Sequence, residues 1–285
     1  MRPSRDFLDT WGREDYNKIK KKKEGSCCGT LPKEKHMPKP LFEVCVDCYE
    51  SAKAAQNGGA DRLELCANLV IGGTTPSEFL FSQIRRDLTV PVNVLIRPRF
   101  GDFLYTRQEL AQMEEEIARF RDLGANGVVI GVLTADGELD MPTLVRLKQA
   151  AGAMDVTLHR AFDMVKDQKR ALEQAIHLGF TTILTSGGQG SALKGSENLA
   201  ELNALAGNQI RLMAGAGVNA ANIPELYRAT GITAYHGSCR VGSLDSAMRY
   251  RNPNVNMGLP GFSEYTLLRT DEQEVRRCVA AVRNL

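Results

Sequence analysis

FEVCVDCYESAKAAQNGGADRLELC, residues 42–66, reads as one complete strand–helix–strand unit. Successive strand side chains point to opposite faces. In FEVCVD, Glu43, Cys45 and Asp47 therefore share one face, and Phe42, Val44 and Val46 share the other. In DRLELC, Arg62, Glu64 and Cys66 stand opposite Leu63 and Leu65. The segment between them, CYESAKAAQNGG, reads as a helix closed by glycines. One face of each strand is apolar and needs a cover such as helices. The other face carries thiols and charges. Burying an ionised carboxylate is costly unless it is given a partner, so such a wall inside a fold suggests a site.

The same unit recurs along the chain. SEFLFSQIRRDL is a helix capped by Ser77, and VPVNVLIRPR is the third strand. A long amphipathic helix opens on Thr106 and leads to the strand GVVIG. Asp140 caps MPTLVRLKQAAG, with Pro142 tolerated in the first turn. VTLHR, TTILTSGG, IRLMAGAG and TAYHGSCR are strands five to eight, each separated by a helical pattern, and DEQEVRRCVAAVRN is a last helix. Pro224 falls inside the pattern NAANIPELYRATG and shifts the expected start of that helix. Strands alternating with helices imply right-handed crossovers and a parallel sheet. Eight units over residues 41–285 fit a closed TIM-type (β/α)8 barrel; an open doubly wound sheet is the alternative.

Residues 1–40 have little periodicity and hold Lys20 to Lys23, Pro32, Pro38 and Pro40, which reads as a flexible arm. Cys27 and Cys28 lie in this arm, as does His36. The formal charge of the 285-residue chain is +2, so composition implies neither a nucleic-acid nor an anionic-membrane partner. No apolar run is long enough to span a bilayer, and no signal-peptide pattern opens the chain. A cytoplasmic location is expected, with the seven cysteines, an odd number, mostly free thiols.

Active sites of such barrels lie at the C-terminal strand ends. Those ends carry Cys45 and Asp47, Glu64 and Cys66, Arg97 and Arg99, His159, Arg160 and Asp163, Ser186, Gly215 and Gly217, and His236 and Ser238, with Glu43 one layer below. A structural layer would be Val, Ile and Leu. Two inward thiols, Cys45 and Cys66, on adjacent strands and at near matching heights suit a soft ion such as Cu(I). The arginines suit a carboxylate or phosphate, and glycine-rich turns after strands six to eight could offer backbone amides to an anion. Glu64, His159 and His236 could move protons. No lysine ends a strand, which speaks against Schiff-base chemistry. Two functions follow: a Cu(I)-binding protein, or an isomerase, lyase or hydrolase acting on a small anionic or phosphorylated metabolite held by these residues.

The motifs EVCVD, GGADRLELC, GGTTPS, IRPRFGDFLY, TLHRAFDM, LTSGG, MAGAGV, YHGSCR and MRYRN, in this order, resemble the CutC copper-homeostasis family. The likeness runs from Phe42 to the C-terminal region and leaves out the arm. It implies a TIM-type barrel, a cytoplasmic homo-oligomer and Cu(I) handling, with Cys45 and Cys66 as copper ligands. Cys48 is outside the shared pattern, so C-x-x-C at Cys45 and Cys48 is not read as a chaperone motif.

Overall fold

The computed structural model describes residues 39–285 except 256, 259, 260 and 262. Cys27, Cys28, His36 and nearly all of the expected arm lie outside the described residues. Eight parallel strands close into a barrel in sequence order: β1 (Leu41–Val46), β2 (Arg62–Leu65), β3 (Val92–Leu95), β4 (Gly127–Ile130), β5 (Asp155–Leu158), β6 (Thr182–Thr185), β7 (Arg211–Ala214) and β8 (Ala234–Gly237). β8 bonds back to β1, with Leu41 opposite Ala234 and Glu43 opposite His236, so the sheet has no open edge and the doubly wound alternative falls.

The helices are α1 (Tyr49–Asn57), α2 (Glu78–Asp87), α3 (Arg107–Asp122), α4 (Met141–Ala151), α5 (Gln168–Leu178), α6 (Ser196–Ala206), α7 (Ile223–Thr230) and α8 (Glu272–Arg283). Their starts follow local chemistry. Ser77, Asp140, Asp167 and Asp271 each accept a first-turn amide, and Thr106 forms a full capping box with Glu109. Pro224 sits in the first turn of α7, so that helix begins at Ile223 rather than in the preceding NAAN. The stretch after β8 contains a short antiparallel pair, β9 (Leu244–Asp245) with β10 (Thr266–Leu267). No helix among the described residues is long and apolar enough to cross a membrane.

Two layers of different chemistry result. Phe42, Val44, Val46, Leu63 and Leu65 belong to the large apolar core, as do helix residues such as Phe81, Ile117 and Leu199. The other strand face is largely polar: Glu43, Arg62, Glu64, Asn93, Thr157, His159 and Thr182 are all buried. Barrel interiors are usually packed with branched apolar side chains. Here the apolar contribution shrinks to two small clusters, one of Cys45, Cys66, Leu95 and Val129 and one of Leu184, Met213 and Ala234.

The register corrects one expectation. Cys45 pairs with Glu64, and Glu43 with Arg62. Cys66 therefore stands a layer above Cys45 rather than level with it. Staggered strands are a requirement of barrel closure, and the stagger is invisible to strand-by-strand parity.

Candidate metal centre

A charged chain crosses the barrel interior through β2, β1 and β8. Arg62 donates from Nε to Oε2 of Glu43 at 2.5 Å. Oε1 of Glu43 lies 2.8 Å from Nδ1 of His236. Nε2 of His236 then faces Oε2 of Glu64 at 3.6 Å. The side chains of Glu43, Glu64 and His236 are 1%, 7% and 11% exposed, so these charges interact with little help from water. Burial alone would raise the Glu43 carboxyl, but Arg62 and His236 overcome it and hold the pKa at about 2. Burial alone would lower His236; Cys45, Glu43 and Glu64 around it push it well above the usual imidazole value. Glu64 lacks an arginine of its own, and burial raises its carboxyl against the pull of His236.

Donor atoms of Cys45, Glu64 and His236 all lie within 4.8 Å of one another. The Cys66 thiol adjoins the group, with Sγ 3.6 Å from Oε2 of Glu64. Burial, followed by the charges of Glu64 and Cys45, pushes the Cys66 thiol well above its ordinary value. The donor chemistry fits a soft monovalent ion. Two thiols and an imidazole are the ligands Cu(I) selects, while a lone carboxylate suits harder ions. The imidazole is also held as a ligand should be. With Nδ1–H directed at the Glu43 carboxylate, Nε2 is the nitrogen whose proton a metal would displace, the carboxylate–histidine arrangement that orients metal-bound histidines.

The other expected site residues are placed as follows. Arg97 is buried, but its guanidinium donates to the carbonyls of Gly72, Gly73 and Gly101 and lies over the Phe103 ring. Arg99 lies beyond the end of β3, paired with Asp102 and Glu109 and stacked on Tyr105. The two arginines thus do not converge, because the chain leaves the strand at Leu95 and their shared parity ends there. His159 accepts the Ala161 amide at Nδ1 and packs at a tilt against Phe103. Burial and then Arg97 lower its pKa to about 3, so it is neutral.

Asp163 accepts from Thr185 Oγ1 and from the amides of Ser186 and Gly188, and Arg160 clasps both Asp163 and Ser186. These three brace the turn after β6. Asp47 accepts from Arg240 at 2.5 Å and from the Leu69 amide. A Cβ at Gly215 would lie 2.6 Å from Cδ1 of Leu184, which would have to shift to admit it. Gly217 has φ of +74°, where glycine is at ease. Ser238 contributes its carbonyl to Thr270 Oγ1. Cys48 caps α1, accepting the Ser51 amide, because β1 ends at Val46 and Cys48 is the first residue to turn away.

Arg62 and Arg240 complete the site and were not among the expected site residues. For Arg62 the signal was present: it shares the inward face of β2 with Glu64 and Cys66. Arg240 shares parity with His236 and Ser238 at the end of β8. Above the centre lies a cleft of about 460 Å³ whose walls include Cys45, Gly217, His236, Ser238, Cys239 and Arg240.

A CutC family profile matches residues 40–241, a span that takes in Cys45, Glu64, Cys66 and His236. A CutC family protein from Bacteroides thetaiotaomicron is 46% identical over 250 residues, covering 87% of this chain and all of that protein. The copper homeostasis protein cutC homolog of Homo sapiens is 43% identical over 246 residues, covering 86% of this chain and 90% of that protein. The crystal structure of CutC from Streptococcus agalactiae matches with a TM-score of 0.67 at 33% identity, over 70% of this chain and 98% of that one. Thiamine phosphate pyrophosphorylase from Pyrococcus furiosus, at 13% identity and a TM-score of 0.52 over 86% of this chain and 96% of that one, shares the fold alone. The closed barrel, the ordered motifs at its strand ends and the extent of these matches establish that the chain belongs to the CutC family.

Proposed function

We propose that this protein binds Cu(I) in intracellular copper handling, through Cys45, Cys66 and His236. One observation carries the reading: donor atoms of Cys45, Glu64 and His236 converge inside the barrel, with the Cys66 thiol against the same carboxylate. Cu(I) arriving through the cleft exchanges for protons, since thiols and imidazole must be deprotonated to ligate. Glu64 is the nearest acceptor for the Cys66 proton. Glu43 keeps Nε2 of His236 aimed inward, and Arg62 keeps Glu43 ionised. An anaerobic titration against a competing Cu(I) chelator tests this. The Cys45→Ser/Cys66→Ser variant loses the equivalent held at the barrel centre; a stoichiometry unchanged from the parent's would overturn the reading.

The described cysteines are all free, the state a reducing compartment maintains, which supports a cytoplasmic site of action. The family likeness supports assembly into a homo-oligomer, which light scattering on the purified chain tests.

The second reading is an isomerase, lyase or hydrolase acting on a small anionic metabolite. It is favoured by a raised Glu64 carboxyl beside His236 at a cleft, a pairing suited to proton transfer. The engagement of both terminal nitrogens of Arg97 by three carbonyls weighs against it, because an anion gripping that end of the guanidinium would have to displace those bonds. A thermal-shift screen with phosphate and carboxylate metabolites in which none stabilises the protein would eliminate it.

A further inference from the structure

Cys239 and Cys278 lie 39 positions apart in sequence, yet their sulfurs meet at 3.9 Å. Cys239 follows β8, and Cys278 lies on α8. The Cys278 thiol in turn donates to Oε1 of Glu274, one turn earlier on α8, at 3.6 Å. Cys239 and Glu274 both line the cleft that Cys45 and His236 also line. We infer that Cys239 and Cys278, with Glu274 as proton acceptor, form a second Cu(I) site on the wall of the entry cleft, separate from the Cys45 centre.

Three further features point the same way. The turn carrying Cys239 is anchored before any ion arrives. Its carbonyl accepts the Asp271 amide at 2.9 Å, Arg240 bridges to Thr270, and the Ser238 carbonyl accepts from Thr270 Oγ1. Cys239 itself has φ of +48°, a conformation non-glycine residues seldom adopt and one that collects at functional positions. The hydrogen bonds also run in one direction, from Cys239 to Cys278 to Glu274, which pairs with Arg277 at the cleft side of α8. Cu(I) inserted between the sulfurs would form two S–Cu bonds in place of two S–H bonds; the Cys278 proton passes to Glu274 and on to water in the cleft, and the Cys239 proton leaves to the same water. No electron is transferred, and no co-reactant is needed. The contact with Cys278, and then burial, raise the Cys239 thiol, so Cys239 is a poor nucleophile and becomes a soft-metal ligand only once the metal displaces its proton.

The test uses the full chain, reduced and handled anaerobically. In the variant with Cys27, Cys28, Cys45, Cys48 and Cys66 all changed to Ser, titration against a chelator should still give one equivalent of Cu(I). Copper-edge absorption should show two sulfur neighbours. Adding Cys278→Ala should abolish that equivalent. A five-serine variant that folds and binds no copper would overturn the inference. Should that variant not fold, Cys239→Ala/Cys278→Ala in the otherwise unaltered chain decides: one equivalent fewer than the parent supports the second site, and an unchanged stoichiometry overturns it. The Cys45→Ser/Cys66→Ser variant reports on the barrel centre alone, so failure of one site is distinguishable from failure of the other.

Discussion

Glu43 shows how much a single inward residue can determine. Its carboxylate fixes which nitrogen of His236 is left for a metal, and Arg62 keeps it charged. Glu43→Gln keeps the shape but loses the charge, and loss of such an orienting carboxylate typically weakens metal binding 10–100-fold. We expect a drop of about that size in Cu(I) affinity, read by chelator competition, with the number of sites unchanged. Proton release gives a second expectation. Apparent Cu(I) affinity should rise with pH by about tenfold per pH unit for each proton displaced, and a flat profile would mean that no thiol is deprotonated on binding. At this scale parity was informative: Cys45, Glu64 and His236 were legible as inward residues from alternation alone. The fate of Arg97 was not, because its carbonyl partners lie on a loop whose path the strand pattern does not describe.

At the scale of elements, caps and close approaches were the readable features. Thr106 was legible as a helix start, and the structure adds the reciprocal bond from the Thr106 amide to Glu109. Thr106→Ala should cost about 1 kcal/mol in a denaturant titration. Gly127 was not legible as special. A Cβ there would lie 2.5 Å from Asn93 Oδ1 and 2.8 Å from the Asp155 carbonyl. Gly127→Ala should therefore destabilise the barrel by about 1–3 kcal/mol, since the backbone carbonyl cannot step aside. The register of β1 on β2 was also hidden. Neighbouring strands show their faces in sequence but not their stagger, so Cys66 was expected level with Cys45 when Glu64 occupies that place. The same limit kept Cys239 and Cys278 apart on paper, one in a turn and one on a distant helix.

For the whole molecule, eight repeated units were enough to predict closure, because the count and the short Gly-containing junctions leave few alternatives. The polar interior then governs how the barrel responds to pH. His159 has a folded pKa of about 3 against an ordinary 6.5, so the unfolded chain takes up its proton first. Stability is lost as pH falls from about 6.5 towards 3. Glu43, at about 2 against 4.5, contributes stability that is present above 4.5 and lost as pH falls towards 2. His236 has the opposite sign: its raised pKa contributes stability below about 6.5, lost as pH rises through the folded value. His159→Gln should therefore flatten the acid limb between pH 6.5 and 3 by up to about 1.4 kcal/mol per pH unit, measured by urea unfolding at several pH values. An acid limb as steep as the parent's would mean that His159 is not held neutral. The most direct measurement for the protein as a whole is a crystal structure of the Cu(I)-loaded chain with anomalous data at the copper edge. We predict a peak inside the barrel, bonded to Cys45 Sγ and His236 Nε2 and adjoining Cys66. A fully loaded protein with no peak between those residues would contradict copper binding at the barrel centre.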